Sequence, residues 1–450
     1  MSKAVTSNAK SSLIQRFLHE VELFKSKPLN MRVLLLTNLI YAAVMPIMGI
    51  FNSVYVMRNS GNNVKYVAIY QLSTYVAIPL AFWINGLLLN HVRIERLFSL
   101  GMLLSALSMT VMLMLKQLTI PGLACAGFLM SFSSGFYWAN RDFLALASTS
   151  DTTRSYYYGI DQFFGANIGI LTPFLVGCFI ANVAKYHSFN LSVNQAYYIL
   201  VVVVFILVTG ASLMIHQGDF KNPKKTKFVY FRFHRQWKWM QLLTIVRGMA
   251  QGYMALVPTL LILTLIGNEG AVGRISSVGG ILSAVALYIL GRTTGPRHRL
   301  LIYSVAVIAF AIGALTNSLL YSAIGVLIFI ACQALSGPLQ EIAYFGTLLL
   351  LIDVTSYLEK RNEYAYIFNL EFSYLIGRSA GLIFFLVLAE NINNVFALRY
   401  ALAIVAVIQL VGIFLVRHIL AGCDREKDYD HNRAMDLATL NTELAAGKAS

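Results

Sequence analysis

The chain has 450 residues, of which 58% are hydrophobic and only 12% charged, with 31 Gly, 28 Phe and 24 Tyr. So few charges leave too little polar surface to keep aqueous domains of this total length in solution, which argues against a soluble enzyme or binding module and for a chain solvated by a bilayer. The net charge of +15 does not point to nucleic acid, because no soluble basic domain is present to carry such a site; anionic lipid of the inner leaflet is the simpler partner.

In chain order, residues 1–31 read as a cytoplasmic arm. Lys3 and Lys10 are followed by polar residues and not by the short apolar run of a signal peptide. Leu13, Phe17, Val21 and Phe24 then recur at helical spacing, which suits either a helix on the membrane surface or a solvated arm on the cytoplasmic face. Apolar runs long enough to span follow at 33–56, 66–89, 97–116, 118–140, 155–180 and 196–215. A basic linker over 216–239 separates them from six more, at 240–265, 271–290, 300–319, 321–345, 364–389 and 394–416, and residues 418–450 form a tail. The expected architecture is an all-α integral membrane protein with twelve transmembrane helices, in two six-helix bundles over 32–215 and 240–417.

Basic residues orient these spans, because Lys and Arg are retained on the cytoplasmic side. With the N-terminus inside, the tails and even-numbered connections hold 27 of the 35 Lys and Arg. Both termini are therefore expected in the cytoplasm. Four cysteines at 125, 178, 332 and 423 have neither metal nor disulfide spacing, and the histidines lie in tails or connections. No cofactor and no catalytic group is expected. The sequon at Asn190–Ser192 is too short a pattern to carry weight.

The two halves also resemble each other. An offset of 202 aligns Gly135 with Gly337 and Asp151 with Asp353; an offset of 208 aligns Tyr158 with Tyr366 and Gly169 with Gly377. The turn between spans 2 and 3 carries Gly86, Asn90, His91, Arg93 and Arg96. In these features the chain resembles the major facilitator superfamily of secondary transporters, over nearly its whole length. Gly86 and Asn90 stand at the first glycine and the aspartate position of that family's basic loop signature. The resemblance implies two pseudo-symmetric six-helix bundles around a central cavity, with access alternating as the halves rock. Span 5 carries Gly165, Gly169, Pro173 and Gly177 at four-residue intervals, which loosely resembles the family's antiporter signature and equally suits a packing face.

Charges inside spans are the strongest functional signal, since an unpaired ion at that depth costs several kcal/mol. Asp161 in span 5, Glu371 in span 11 and Glu341 in span 10 are candidates for proton coupling; each could instead be a permanently paired structural carboxylate. Asp161 shares a face with Gly165 and Gly169, suggesting a latch between closely packed helices. Arg247 with Gln251, and Arg378 with Tyr374, are candidates for the anionic part of a solute, while Arg247 and Glu341 are also candidate partners of each other. Asn38, Tyr41, Gln71 and Tyr75 form polar stripes on spans 1 and 2. Tyr137 and Trp138, at the end of span 4, could stack on a solute or belong to an interfacial belt. Asn90, Arg93, Arg96, Arg141, Asp142, Asp151, Arg154, Asp353 and Arg361 are candidate cytoplasmic gate residues.

These residues suit a secondary active transporter of a small polar, zwitterionic or amphipathic organic solute, coupled to protons by symport or antiport, acting as a monomer in a bacterial inner membrane. A membrane nutrient sensor on the same fold is the alternative, although the linker and tail are short for a signalling domain.

Overall fold

The computed structural model describes residues 22–61, 63–115, 118–149, 151–186, 191–222, 229–267, 269–293, 298–361 and 363–425. Most of the N-terminal arm, the linker lysines Lys224, Lys225 and Lys227, Asn190 and the tail beyond Arg425 lie outside these residues, as do the side chains of Asp142, Asp151 and Arg154.

The described residues form twelve long helical segments, here α1 (Leu29–Asn59), α2 (Val64–Leu88), α3 (Ile94–Met114), α4 (Ile120–Ser148), α5 (Asp151–Tyr186), α6 (Val193–Ile215), α7 (Arg235–Leu265), α8 (Glu269–Thr293), α9 (Arg299–Leu320), α10 (Ala323–Glu359), α11 (Glu363–Asn391) and α12 (Asn394–Arg425). Ten contain a stretch long and apolar enough to cross a membrane; α5 and α8 hold shorter apolar stretches, Asn167–Val183 and Gly270–Ala286.

Proline shapes several of these helices. Its missing N–H is tolerated in a first turn but breaks a ladder further in. Accordingly α2 resumes after Ala77 with Pro79 in its new first turn, and α7 resumes after Leu256 with Pro258 in the same place. Pro46, Pro173 and Pro338 lie inside α1, α5 and α10. A π-helical turn over Ala397–Ala401 interrupts α12.

Large apolar side chains face outward throughout, among them Ile206, Leu213, Leu319 and Phe414. Such a surface matches hydrocarbon and would be intolerable in water.

The linker side is the end of the bundle carrying the α4–α5, α6–α7 and α10–α11 connections; the opposite end is the far side. On the far side the halves share one buried cluster, in which Val54, Tyr55 and Tyr197 of the first half continue into Tyr253, Leu260, Phe329 and Phe385 of the second. On the linker side the second half has a separate core around Trp237, Tyr303, Tyr344 and Tyr366. A small cluster of Ile78, Phe82, Ala139 and Phe368 joins α2 and α4 to α11 there.

Two helix pairs form the seam, α5 with α8 and α2 with α11. Gly273 makes the first possible: a Cβ there would lie 2.9 Å from Gly177 Cα and closer still to the Pro173 carbonyl. Ser277 Oγ then donates across the seam to the Ile170 carbonyl at 2.8 Å. Lys65 and Glu390 close the far side of the second pair with an ion pair.

Candidate functional site

The first half builds its site where α1, α4 and α5 meet. Arg141 Nη2 donates to Asp161 Oδ2 at 2.5 Å, and Asn38 Nδ2 donates to Asp161 Oδ1 at 3.1 Å and to Tyr157 OH at 3.0 Å. Both charges are largely withdrawn from solvent, at 16% and 8% side-chain exposure, where their attraction is little screened. The pair borders a cavity of about 350 Å³, whose walls include Asn38, Tyr137, Trp138, Phe164, Gly165 and Gly169. Trp138 and Phe164 present exposed rings, and the Arg141 guanidinium lies 5.1 Å from the Trp138 ring. Chemically, this is a mostly apolar chamber with one ion pair in its wall.

Three expectations change here. Helix α4 continues through Ser148, so Tyr137, Trp138 and Arg141 lie inside the helix and not at its end, and Arg141 closes on Asp161 in place of a surface gate partner. Asp161 lies ten residues into α5, about 15 Å along the axis. A Cβ at Gly165 or Gly169 would meet nothing within 4 Å, so this face opens on the cavity, and the latch between closely packed helices is replaced by an ion pair at its edge. The close approach expected of the glycine stripe occurs further along, at Pro173 and Gly177. Tyr41 is buried, with its ring 4.4 Å from Tyr137, while Gln71 bonds Thr74 within α2; neither borders the cavity.

The second half places its charges on α7, α10 and α11. Arg247 forms an ion pair with Glu341, donates from Nη1 to Tyr374 OH at 2.7 Å and lies 4.0 Å from the Tyr344 ring. It is 3% exposed, whereas the Glu341 side chain is 54% exposed. The expected partnership is present, but Arg247 is sealed and the carboxylate is the accessible member. Arg378 donates from Nε and Nη2 to Gln251 Oε1 at 3.2 and 3.1 Å, and stands over Tyr374 at 4.6 Å and Tyr75 at 5.3 Å. Tyr75 thereby brings the first half to the second-half site.

This placement depends on four glycines. On α7, Gly248 and Gly252 face Gly377 and Gly381 of α11, so closely that a Cβ on Gly252 would lie 2.9 Å from Arg378 Cα. The small-residue spacing lets backbones approach where larger residues could not, and brings Gln251 within reach of Arg378. Glu371 is partly exposed on α11.

The gate candidates divide. Arg93 bonds Glu95 at 2.8 Å and pairs with Asp219 of the linker at 3.6 Å; Asn90, Arg96 and Asp353 are exposed. Asn222 of the linker, which sequence reasoning passed over, donates to the Leu89 and Val92 carbonyls at 2.7 Å each and accepts from Ile94 N at 2.9 Å. It thus supplies the cap that Arg93 does not provide for α3. Beyond the linker lysines, Arg361 donates to the Arg232 carbonyl, lies 4.4 Å from the Tyr230 ring and pairs with Glu359 at 3.3 Å. The linker is therefore fastened to a turn of each half.

Among the described residues no group of three or more His, Cys, Asp or Glu is placed to hold a metal ion. No protein-family model and no curated protein matches the sequence. Solved structures do match in shape. One described by substrate recognition in proton-dependent oligopeptide transporters aligns with a TM-score of 0.67 at 13% identity, over 89% of this chain and 100% of the other. A bacterial homologue of the iron transporter ferroportin, in an inward-facing state, gives 0.65 at 13% identity over 87% and 98%. The E. coli fucose:proton symporter gives 0.57 at 13% identity over 86% and 98%. The chain has the fold of these transporters. At such identities the likeness is one of fold, and the solute has to be argued from this chain's own residues.

Proposed function

We propose that the protein is a secondary active transporter of the major facilitator type, moving a small polar, zwitterionic or amphipathic organic solute by alternating access. The observation that carries this reading is the solvent-poor Arg141–Asp161 ion pair at the edge of a cavity, in a fold otherwise made to face lipid. An ion pair buried for stability alone is a poor bargain against apolar packing, whereas one beside a cavity can be opened by a proton or a charged solute. In this reading all twelve helical segments span, with α5 and α8 tolerating polar residues because they border the seam. The basic linker and both termini are cytoplasmic, in a bacterial inner membrane containing anionic lipid, and the working unit is a monomer.

The far-side contacts are then the closed outer gate, and the cavity is reached from the linker side. Protonation of Asp161 would remove the charge that holds Arg141 and loosen the α4–α5 contact. Glu341, accessible and paired with Arg247, and Glu371 are the second-half candidates for the same coupling.

The test is flux in proteoliposomes over a broad solute panel, with and without a pH gradient. Accumulation that follows the gradient and is lost in Asp161→Asn, with folding retained, is expected. Absence of any gradient-sensitive flux would overturn the reading.

A further inference from the structure

Arg378 lies near the midpoint of α11, about 20 Å along the axis from either end. Two other guanidiniums within spans have carboxylate partners, Arg141 in Asp161 and Arg247 in Glu341. The partners of Arg378 are Gln251, Tyr374 and Tyr75, all of them neutral. Glu371 stands seven residues earlier on the same helix, about 10 Å along the axis, and makes no ion pair with Arg378 among the described residues.

The neutral partners position the group without satisfying it. Of the five N–H groups of a guanidinium, Gln251 Oε1 takes one from Nε and one from Nη2. Tyr374 and Tyr75 lie against its π system. What remains is the outer edge, both N–H groups of Nη1 and the second of Nη2. That edge has the fork geometry that binds two oxygens of a carboxylate or phosphate in parallel.

We propose that the transported solute is an organic anion, and that its carboxylate or phosphate oxygens bind this edge of Arg378. The inference rests on the transport reading and narrows it. It gives a mid-helix charge that has no carboxylate partner among the described residues a counter-charge that arrives with the solute. Because Tyr75 belongs to the first half and Arg378 to the second, an anion bound there also acts on a contact between the halves.

The test uses the purified full-length chain in liposomes, with lactate, glycerol 3-phosphate and glucose 6-phosphate as probes, each beside its uncharged counterpart, lactamide, glycerol or glucose. At least one anionic probe is expected to show binding by thermal shift and exchange by counterflow, with its counterpart at least tenfold weaker; the carboxylate and phosphate arms distinguish the two headgroups. Arg378→Gln is expected to lower affinity for that anion at least tenfold, and Arg378→Lys, which keeps the charge but not the fork, to recover part of the loss. Size-exclusion profiles identify folded variants, and if Arg378→Gln does not fold, the Lys variant decides by a smaller but measurable loss of affinity for the anion. Anion binding unchanged in the folded variants would overturn the assignment. Gradient-driven flux of a neutral counterpart, indifferent to Arg378, would overturn it while leaving the transport reading in place. Failure of every probe to bind or move would overturn the assignment, and absence of gradient-sensitive flux across the broad solute panel as well would overturn both.

Discussion

The α7–α11 contact offers a quantitative test, because the position of Arg378 depends on two backbones nearly touching. In Gly377→Ala the new methyl would lie 2.9 Å from Gly248 Cα and 3.0 Å from Ile245 Cα, with the Ile245 carbonyl oxygen nearer still. Carbon atoms rest at about 3.5–4.0 Å, and all three obstacles are helix backbone, so the helices must part by roughly 0.5–1 Å. Overpacking of this kind costs about 1–3 kcal/mol. Alanine also gains up to about 1 kcal/mol over glycine in a helix, so a control is needed that shares the gain without the clash. Gly210→Ala in α6 serves, since a Cβ there meets nothing within 4 Å. The two variants should therefore differ in unfolding free energy by about 1–3 kcal/mol, read as a lower detergent melting temperature for Gly377→Ala. The same separation would stretch the 3.1 and 3.2 Å bonds between Arg378 and Gln251 beyond about 3.5 Å, where little hydrogen bonding survives, so anion affinity should fall with stability. A Gly377→Ala protein melting at or above the Gly210→Ala control would refute the close-contact argument.

Three further outcomes are expected. Asp161→Asn breaks the largely buried pair with Arg141, at a cost of about 3–5 kcal/mol; the paired Arg141→Met/Asp161→Leu variant should regain much of the melting temperature but no gradient-driven transport. Asn222→Ala removes three hydrogen bonds that fasten the linker to the α2–α3 turn, including the cap on Ile94 N, and should cost about 1–2 kcal/mol, measured by thermal unfolding. Gly273→Leu cannot be accommodated against Pro173 and Gly177, so the far side should open, and a cysteine placed at Ser277 should label faster with a membrane-impermeant maleimide than in the Gly273 background.

The spans were legible because a run of about 20 apolar residues has few alternatives to crossing hydrocarbon. Their ends were not. Helices α4 and α10 extend to Ser148 and Glu359, past the point where apolar residues give way to polar ones, and a polar helix end looks like a loop to a hydropathy argument. The Arg247–Glu341 pair could be anticipated, since each charge lies within a span and opposite charges at such depth tend to meet. Arg141 and Asp161 could not be paired in the same way, because Asp142, Asp151 and Arg154 offered nearer partners in sequence. Asn222 gave no signal at all: its capping role arises from the path of the linker across the α2–α3 turn, which local sequence does not encode.

The duplication has a physical counterpart in the two sites. Asp161 shifted by 208 is Asn369, and Asn38 on α1 lies within one residue of Gln241 on α7 at the offset of 202. In the first half Asn38 Nδ2 donates to Asp161 Oδ1 at 3.1 Å; in the second Gln241 Nε2 donates to Asn369 Oδ1 at 2.7 Å. The same helix contact, α1 with α5 and α7 with α11, is thus bridged at equivalent positions by an amide donor. Only the first-half acceptor is an ionisable carboxylate; the amide of Asn369 stays neutral and takes up no proton near neutral pH. In the proposed coupling, a proton would therefore act on this contact in one half alone. The second half carries its charges elsewhere, on Arg247, Glu341, Glu371 and Arg378, and Ile170 occupies the first-half position that corresponds to Arg378. In the proposed reading, similar backbones with unlike charges would let one half answer to a proton at Asp161 while the other holds an anion at Arg378. If the roles are divided in this way, Asp161→Asn should abolish accumulation driven by a pH gradient yet leave anion counterflow at equal pH measurable, and Arg378→Gln should impair both. Equal loss of counterflow in two folded variants would show that the roles are not separated between the halves.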